Sequence, residues 1–176
     1  MTRKTNSQRG QAVVELAFQI PLMLLLLFGG FQIARIFYTY HTLQKALRGG
    51  AGFVARSTNV NYCAIEDATL AAARNFVVFG NLPPGTTPTP VVPGLTTDMI
   101  QILPERGVAE STAVTPCTCG NARDDTESCD VLSGGRAPDF VVVNLGSGFP
   151  LTVPFPFVNL GTINLSVSVR MPVTGG

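Results

Sequence analysis

The chain has no tryptophan, a single histidine (His41) and charged residues at only 13% of its 176 positions. Each scarcity excludes something. The one histidine lies on the long helix just past the apolar run, where it reads as a solvated or interfacial side chain. No G-x-S-x-G, H-E-x-x-H, Walker A or Rossmann fingerprint is present, and "GSGFP" (Gly146 to Pro150) is a glycine turn rather than a phosphate loop, so the sequence points to no enzyme and no cofactor. The twelve basic residues lack interleaved aromatics and a recognition surface, which argues against nucleic acid as a partner. With 45% hydrophobic residues the chain is nevertheless too apolar to be disordered, and it is long enough for one modest domain plus an anchor.

What is present is unevenly distributed. Met1 to Arg56 hold seven basic residues and the single acid Glu15, whereas Ser57 to Gly176 hold five basic and ten acidic. Leu16 to Ala34 is a run of 19 residues without formal charge. As a helix it spans roughly 28 Å, close to the ~30 Å of a bilayer's hydrocarbon. It exceeds the apolar core of a cleaved secretory signal, and no small-residue cleavage site follows it at once. Arg3, Lys4 and Arg9 before the run against Arg35 just after it favour a cytoplasmic N-terminus, a bias diluted by Lys45, Arg48 and Arg56 further on.

The helix is expected to continue past the membrane. Ile36, Tyr40, Leu43, Leu47, Gly50 and Val54 are spaced 4, 3, 4, 3, 4, a stripe on one helical face that must lie on the chain's own domain or on neighbouring copies. The spacing predicts one long helix from about Gln11 to Ala55, kinked or loosened at Pro21. A second helix is expected from about Ala64 to Phe79, opened by Glu66 and Asp67 and ended by Gly80-Asn81. Leu82 to Gly94, with five prolines, reads as extended linker. Asp98 to Leu103 reads as a short strand, and Gly107 to Pro138 as a polar loop. Phe140–Leu145, Leu151–Val158 and Thr162–Met171 read as three consecutive strands of an antiparallel meander, the last alternating strictly. Pro154 and Pro156 confine the middle one to an edge. The fold class is therefore α+β: a long transmembrane-plus-amphipathic helix, then a small domain with a short helix and an antiparallel sheet.

Cys63, Cys117, Cys119 and Cys129 all follow the apolar run, an even number that suits disulfides in an oxidising extracytoplasmic space. A zinc site would need all four, without the usual C-x2-4-C pairs. Cys117 and Cys119 are too close in sequence to bond each other readily, so each pairs with Cys63 or Cys129, in an order the sequence leaves open. Asp124, Asp125, Glu127 and Asp130 gather near Cys129 but lack the D-x-[DN]-x-[DN]-G pattern of a calcium loop, so they read as a solvated acidic loop.

"RGQAVVELAFQIPLMLLLLFGGFQIARIFYTYHTLQKALRGGAGFVAR", Arg9 to Arg56, resembles the N-terminal signature of TadE-like proteins, minor pilins or pseudopilins of the tight adherence (Tad, or Flp) subclass of type IV pilus systems. Arg9, Gly10, Val14, Glu15, Leu16, Ala17, Pro21 and Leu22 match its R-G-x-x-x-V-E-[FL]-A motif and early P-L. "FPFVNLGTINLSVSVRM" resembles, less specifically, the strand that commonly closes these proteins. The major pilin of such systems carries Glu-Tyr where this chain has Glu15-Leu16 and lacks a large C-terminal domain, so the resemblance is to a minor component. It implies a leader, 1–10, removed by a prepilin peptidase between Gly10 and Gln11; a transmembrane and assembly helix, 11–56, in which Glu15, Leu16 and Pro21 meet other pilin subunits; and an extracytoplasmic domain, 57–176. It further implies a single-pass inner-membrane protein handled by the pilus assembly platform and passed into a filament for adhesion or secretion. Glu15 is costly near lipid unless paired. The amine freed at Gln11, its own or a neighbour's, is the natural counter-charge. The alternative is a bitopic envelope protein whose outer domain binds a partner without entering a filament.

Overall fold

The computed structural model describes residues 7–58, 60–64, 66–80, 89–108, 112–119, 128–131, 134–155 and 158–174. Helix α1 (Ser7–Arg56) runs 50 residues through Pro21 without interruption, roughly 75 Å at ~1.5 Å per residue. It begins at Ser7, before the expected Gln11, because a lone Gly10 weakens a helix by only about 1 kcal/mol. Its first half is exposed: Phe18 is 77% exposed and Leu27 is 70% exposed. Its second half enters a core. Leu43, Leu47, Gly50 and Val54 are buried, and Ile36 and Tyr40 are half-buried against the same cluster. The stripe therefore lies on the chain's own domain, which decides between the two partners the spacing allowed.

Helix α2 (Ala68–Phe79) starts four residues later than the expected Ala64, because Asp67 caps it rather than lying within it. Asp67 Oδ1 accepts from Thr69 N at 2.8 Å and Leu70 N at 3.1 Å, and its Oδ2 accepts from Asn61 N at 3.1 Å. That satisfies donors the first turn leaves orphaned. Gly80, at φ +71°, closes the other end with its N–H on Phe76 O at 2.8 Å. Beside this cap, the buried Tyr62 hydroxyl is pushed up to about 12, by burial first and by the Asp67 charge second.

α2 packs on α1 where α1 has no side chains to obstruct it. A Cβ at Gly49 would stand 2.8 Å from Phe76 Cε1, and one at Gly50 would overlap Val77 Cγ2. The other elements are β1 (Ile100–Gly107), entered through a single 3-10 turn at Thr97–Met99, β2 (Val114–Pro116), β3 (Phe140–Leu145), β4 (Phe149–Phe155), β5 (Val158–Leu165) and β6 (Ser168–Pro172). A four-stranded sheet takes the order β2-β1-β3-β6, with each neighbouring pair antiparallel. Its inner face, Ile100, Ile102, Val141, Val143, Leu145 and Val169, joins the α1 and α2 residues in one core. On the other face Arg170 Nε meets Glu105 Oε2 at 2.7 Å across β3.

The expected meander is not what forms. β3 pairs with β6 rather than β4, and β4 pairs with β5 in a sheet of two. The long strand foreseen over Thr162–Met171 is shared between β5 and β6, with Val167 pointing inward between them. Both pairings belong to one folded-back ribbon. Residues 140–155 run antiparallel to 158–172, with Phe140 opposite Pro172, Phe149 opposite Leu165 and Phe155 opposite Val158. Leu145 N donates to Val167 O at 3.2 Å, so the ladder continues beyond Asn144, and Gly146-Ser147-Gly148 then stand opposite Ser166 alone. Such a bulge bends and twists a ribbon, which takes β4 and β5 out of the larger sheet.

Candidate functional site

Gly10, Gln11, Glu15, Leu16 and Pro21 lie on one uninterrupted, solvent-exposed stretch of α1. Nothing lies within 4 Å of a Cβ built at Gly10, so the Gly10–Gln11 bond is free of packing from the outer domain. Glu15 Oε1 accepts from Gln19 Nε2 at 3.3 Å, one turn further on. Gln11 precedes Glu15 by the same interval, which places the three side chains in a row on one helical face. From Glu15 to Ile36, the first residue packed on the outer core, the helix rises about 31 Å. That matches the hydrocarbon thickness. Glu15 and the C-terminal domain thus stand at opposite ends of the apolar segment, and among the described residues no ion pair links the carboxylate to that domain.

The apolar segment is the one helix among the described residues long and apolar enough to cross a membrane, and none of its most apolar window is buried. Beyond it, Phe37, Tyr38 and His41 face outward, as do Arg35, Lys45 and Arg48. Aromatic side chains directly after an apolar span suit the headgroup level. Tyr40 and His41 meet edge to face, with ring centroids 5.9 Å apart.

The cysteines form a second, separate constellation. Cys63 bonds Cys119 and Cys117 bonds Cys129. The first bridge ties the α1–α2 connection to the segment after β2, and the second closes a loop on that segment. Cys129 is fully buried. Arg106, on β1, reaches the same loop: its Nη2 donates to Arg136 O at 2.6 Å and Ser128 O at 3.3 Å, and lies 3.4 Å from Cys129 Sγ. Gly135 lets the loop close, since a Cβ there would be 2.5 Å from Ser128 O. Neither the Arg106 clamp nor β2, which falls inside the stretch expected to be loop, has a signature in the sequence. The clamp spans 22 to 30 residues and depends on carbonyls that every residue carries.

Among the described residues no group of three or more His, Cys, Asp or Glu could hold a metal ion. Of the acidic loop, Asp124, Asp125 and Glu127 lie outside the described residues, as do residues 1–6 of the leader and 82–88 of the proline-rich stretch. Asp130 is described; its N–H bonds Ser128 Oγ at 3.2 Å.

Fold and site together define an α+β protein with one helix long and apolar enough to anchor it in a membrane and a C-terminal domain braced by two disulfides. Residues 10–51 match the model of the TadE-like protein family, so the chain carries a TadE-like N-terminal region. No curated protein and no solved structure matches the chain. The family match ends among Gly49, Gly50 and Ala51, where α2 crosses α1.

Proposed function

We propose that the protein is a minor pilin or pseudopilin of a tight-adherence pilus, a structural subunit that acts by assembly. The observation that carries the reading is the TadE-like helix with Glu15 at the end of the apolar segment remote from the domain. In this reading the N-terminus is cytoplasmic and the outer domain extracytoplasmic. A prepilin peptidase cuts between Gly10 and Gln11, and the new amine pairs with Glu15 of its own or a neighbouring subunit. The pair lowers the cost of a carboxylate near lipid, about 2.5 to 3.5 kcal/mol at a helix centre and less near the surface. In a packed bundle it also fixes the axial register of the helices. The inner-membrane assembly platform then draws the subunit into, or starts, a filament serving adhesion or secretion.

Mass spectrometry of the native N-terminus tests the reading: a chain beginning at Gln11 is expected, and an intact Met1, or a cut after the apolar stretch, overturns it. Glu15→Ala is expected to leave membrane insertion intact and to reduce assembled pili; unchanged piliation removes the pairing.

A further inference from the structure

Past its apolar segment α1 carries cations and no acid. From Leu16 to Ile65 the chain has no aspartate or glutamate, and Arg35, Lys45, Arg48 and Arg56 are its only formal charges. Two of them share a helical face with His41 and an aromatic side chain. Phe37, His41, Lys45 and Arg48 follow one another at intervals of 4, 4 and 3. All four are exposed, on the side of α1 opposite the buried Leu43 and Leu47. Among the described residues no ion pair joins Lys45 or Arg48 to an acid of the same chain. Arg56 is differently engaged, since its Nε donates to Gly52 O at 2.8 Å.

These cations lie on the side of the helix's direction that favours the bilayer. Every Cα–Cβ bond of an α-helix tilts toward the N-terminus, which for α1 is the direction of the apolar segment. Tyr38 is 74% exposed and directly follows that segment, which suits the headgroup level. From Tyr38, Lys45 stands about 10 Å and Arg48 about 15 Å further along the helix. Their aliphatic stems let the charged ends reach back toward the membrane while the backbone stays clear of it. Arg56, about 27 Å from Tyr38, is out of reach. Exposed aromatics followed by exposed cations on one face repeat the order of layers in a leaflet, from hydrocarbon through glycerol to phosphate. An acidic protein surface requires no such order.

We propose that Lys45 and Arg48, with Arg35 below them, form a docking face for the phosphate headgroups of anionic lipid in the leaflet on the domain's side. The contact adds a charge-dependent attachment to the hydrophobic one, so lipid composition and ionic strength act on how firmly the domain is held over the bilayer. The inference rests on the membrane reading of α1, and its test separates the two. The chain has no tryptophan, so Tyr38→Trp places a single probe beside the face and Ile33→Trp a single probe within the apolar segment. Both positions are exposed. The full-length proteins, with both disulfides verified by mass, are placed one copy per phosphatidylcholine nanodisc. Each disc holds the same minor fraction of either phosphatidylglycerol or phosphatidylcholine brominated on the upper acyl chain. At position 38 the brominated phosphatidylglycerol is expected to quench roughly fivefold more strongly, the factor that one engaged cation supplies. The preference is expected to fall with Lys45→Gln, to fall again when Arg48→Gln is added, and to survive Lys45→Arg. Equal quenching at 38 by the two lipids, or a preference untouched by the paired glutamines, overturns the headgroup contact; quenching at 33 then leaves the anchor standing. No quenching at 33 by either lipid overturns both. Equal quenching at 38, with a carbodiimide bond from Lys45 to a carboxylate of the other copy in discs that hold two, assigns the face to an acidic neighbour and also overturns the proposal.

Discussion

Glycine at position 50 shows how a single missing side chain sets the geometry of this molecule. In a helix interior it costs roughly 0.5 to 1 kcal/mol relative to alanine, yet here it admits Val77 of α2 into van der Waals contact with the α1 backbone. Val77 is buried and β-branched, so it has no free rotamer to retreat into. Gly50→Ala therefore gains helix propensity and loses more to overpacking, whose usual cost is about 1 to 3 kcal/mol. A net destabilisation of about 1 to 2 kcal/mol is expected, read as a lower thermal midpoint of the outer domain with both disulfides intact. Gly49 faces the far edge of the Phe76 ring, which is only half-buried, whereas Val77 is fully buried, so Gly49→Ala should cost less. A larger loss at 49 than at 50 would show that α2 is held by the ring rather than by Val77.

At the scale of elements, the two disulfides divide the work by the length of chain they close. Cys63–Cys119 spans 56 residues and Cys117–Cys129 spans 12. In the chain-entropy account these restrict the unfolded state by about 4 and about 3 kcal/mol. Replacing Cys63 and Cys119 together by serine should lower the denaturation midpoint more than replacing Cys117 and Cys129. The Arg106 bonds to Ser128 and Arg136 also hold the shorter loop after its bridge is gone. Equal losses from the two pairs would overturn the chain-length account.

The elements also show where the sequence is informative and where it is not. α1 is legible because a 3.6-residue stripe and a charge-free run are local patterns, and Gly80 marks the end of α2 because only a left-handed cap follows Phe79 there. The start of α2 was misplaced because an aspartate reads alike as cap and as first-turn residue. The strands of the ribbon are legible as apolar runs between Gly and Asn, the last also by alternation, but their partners are not. Pairing β3 with β6 across two intervening strands is a non-local choice, fixed by a bulge of two glycines and a serine that resembles any other turn. That Gln11 lies one turn from Glu15 is legible from spacing alone; the Gln19 contact is not. The 31 Å that separates Glu15 from the outer core follows only once the first packed residue is known to be Ile36.

The whole molecule is arranged around one helix with two environments, and the boundary between them is sharp. Up to Tyr38 α1 carries exposed apolar side chains; from Thr39 onward it supplies Leu43, Leu47, Ala51, Val54 and Ala55 to the core. The domain therefore does not hang from the anchor by a linker; it is built on the upper half of the anchor itself. The helix should accordingly leave lipid and enter another apolar environment without unfolding the domain, because none of the buried contacts involves the membrane half. A chain starting at Ala34 tests this, since it discards the apolar segment and keeps every buried residue of α1. It is expected to be soluble without detergent, to retain both disulfides and to unfold cooperatively. A chain starting at Ser57 loses two fully buried leucines and Val54, each worth about 2 to 5 kcal/mol as a cavity for the leucines and less for the valine. That total approaches the whole stability of a domain, about 5 to 15 kcal/mol, so the shorter chain should show no cooperative transition. Circular dichroism during thermal unfolding distinguishes the outcomes. A Ser57 chain that folds as stably as the Ala34 chain would mean that the upper half of α1 merely lies on a finished domain.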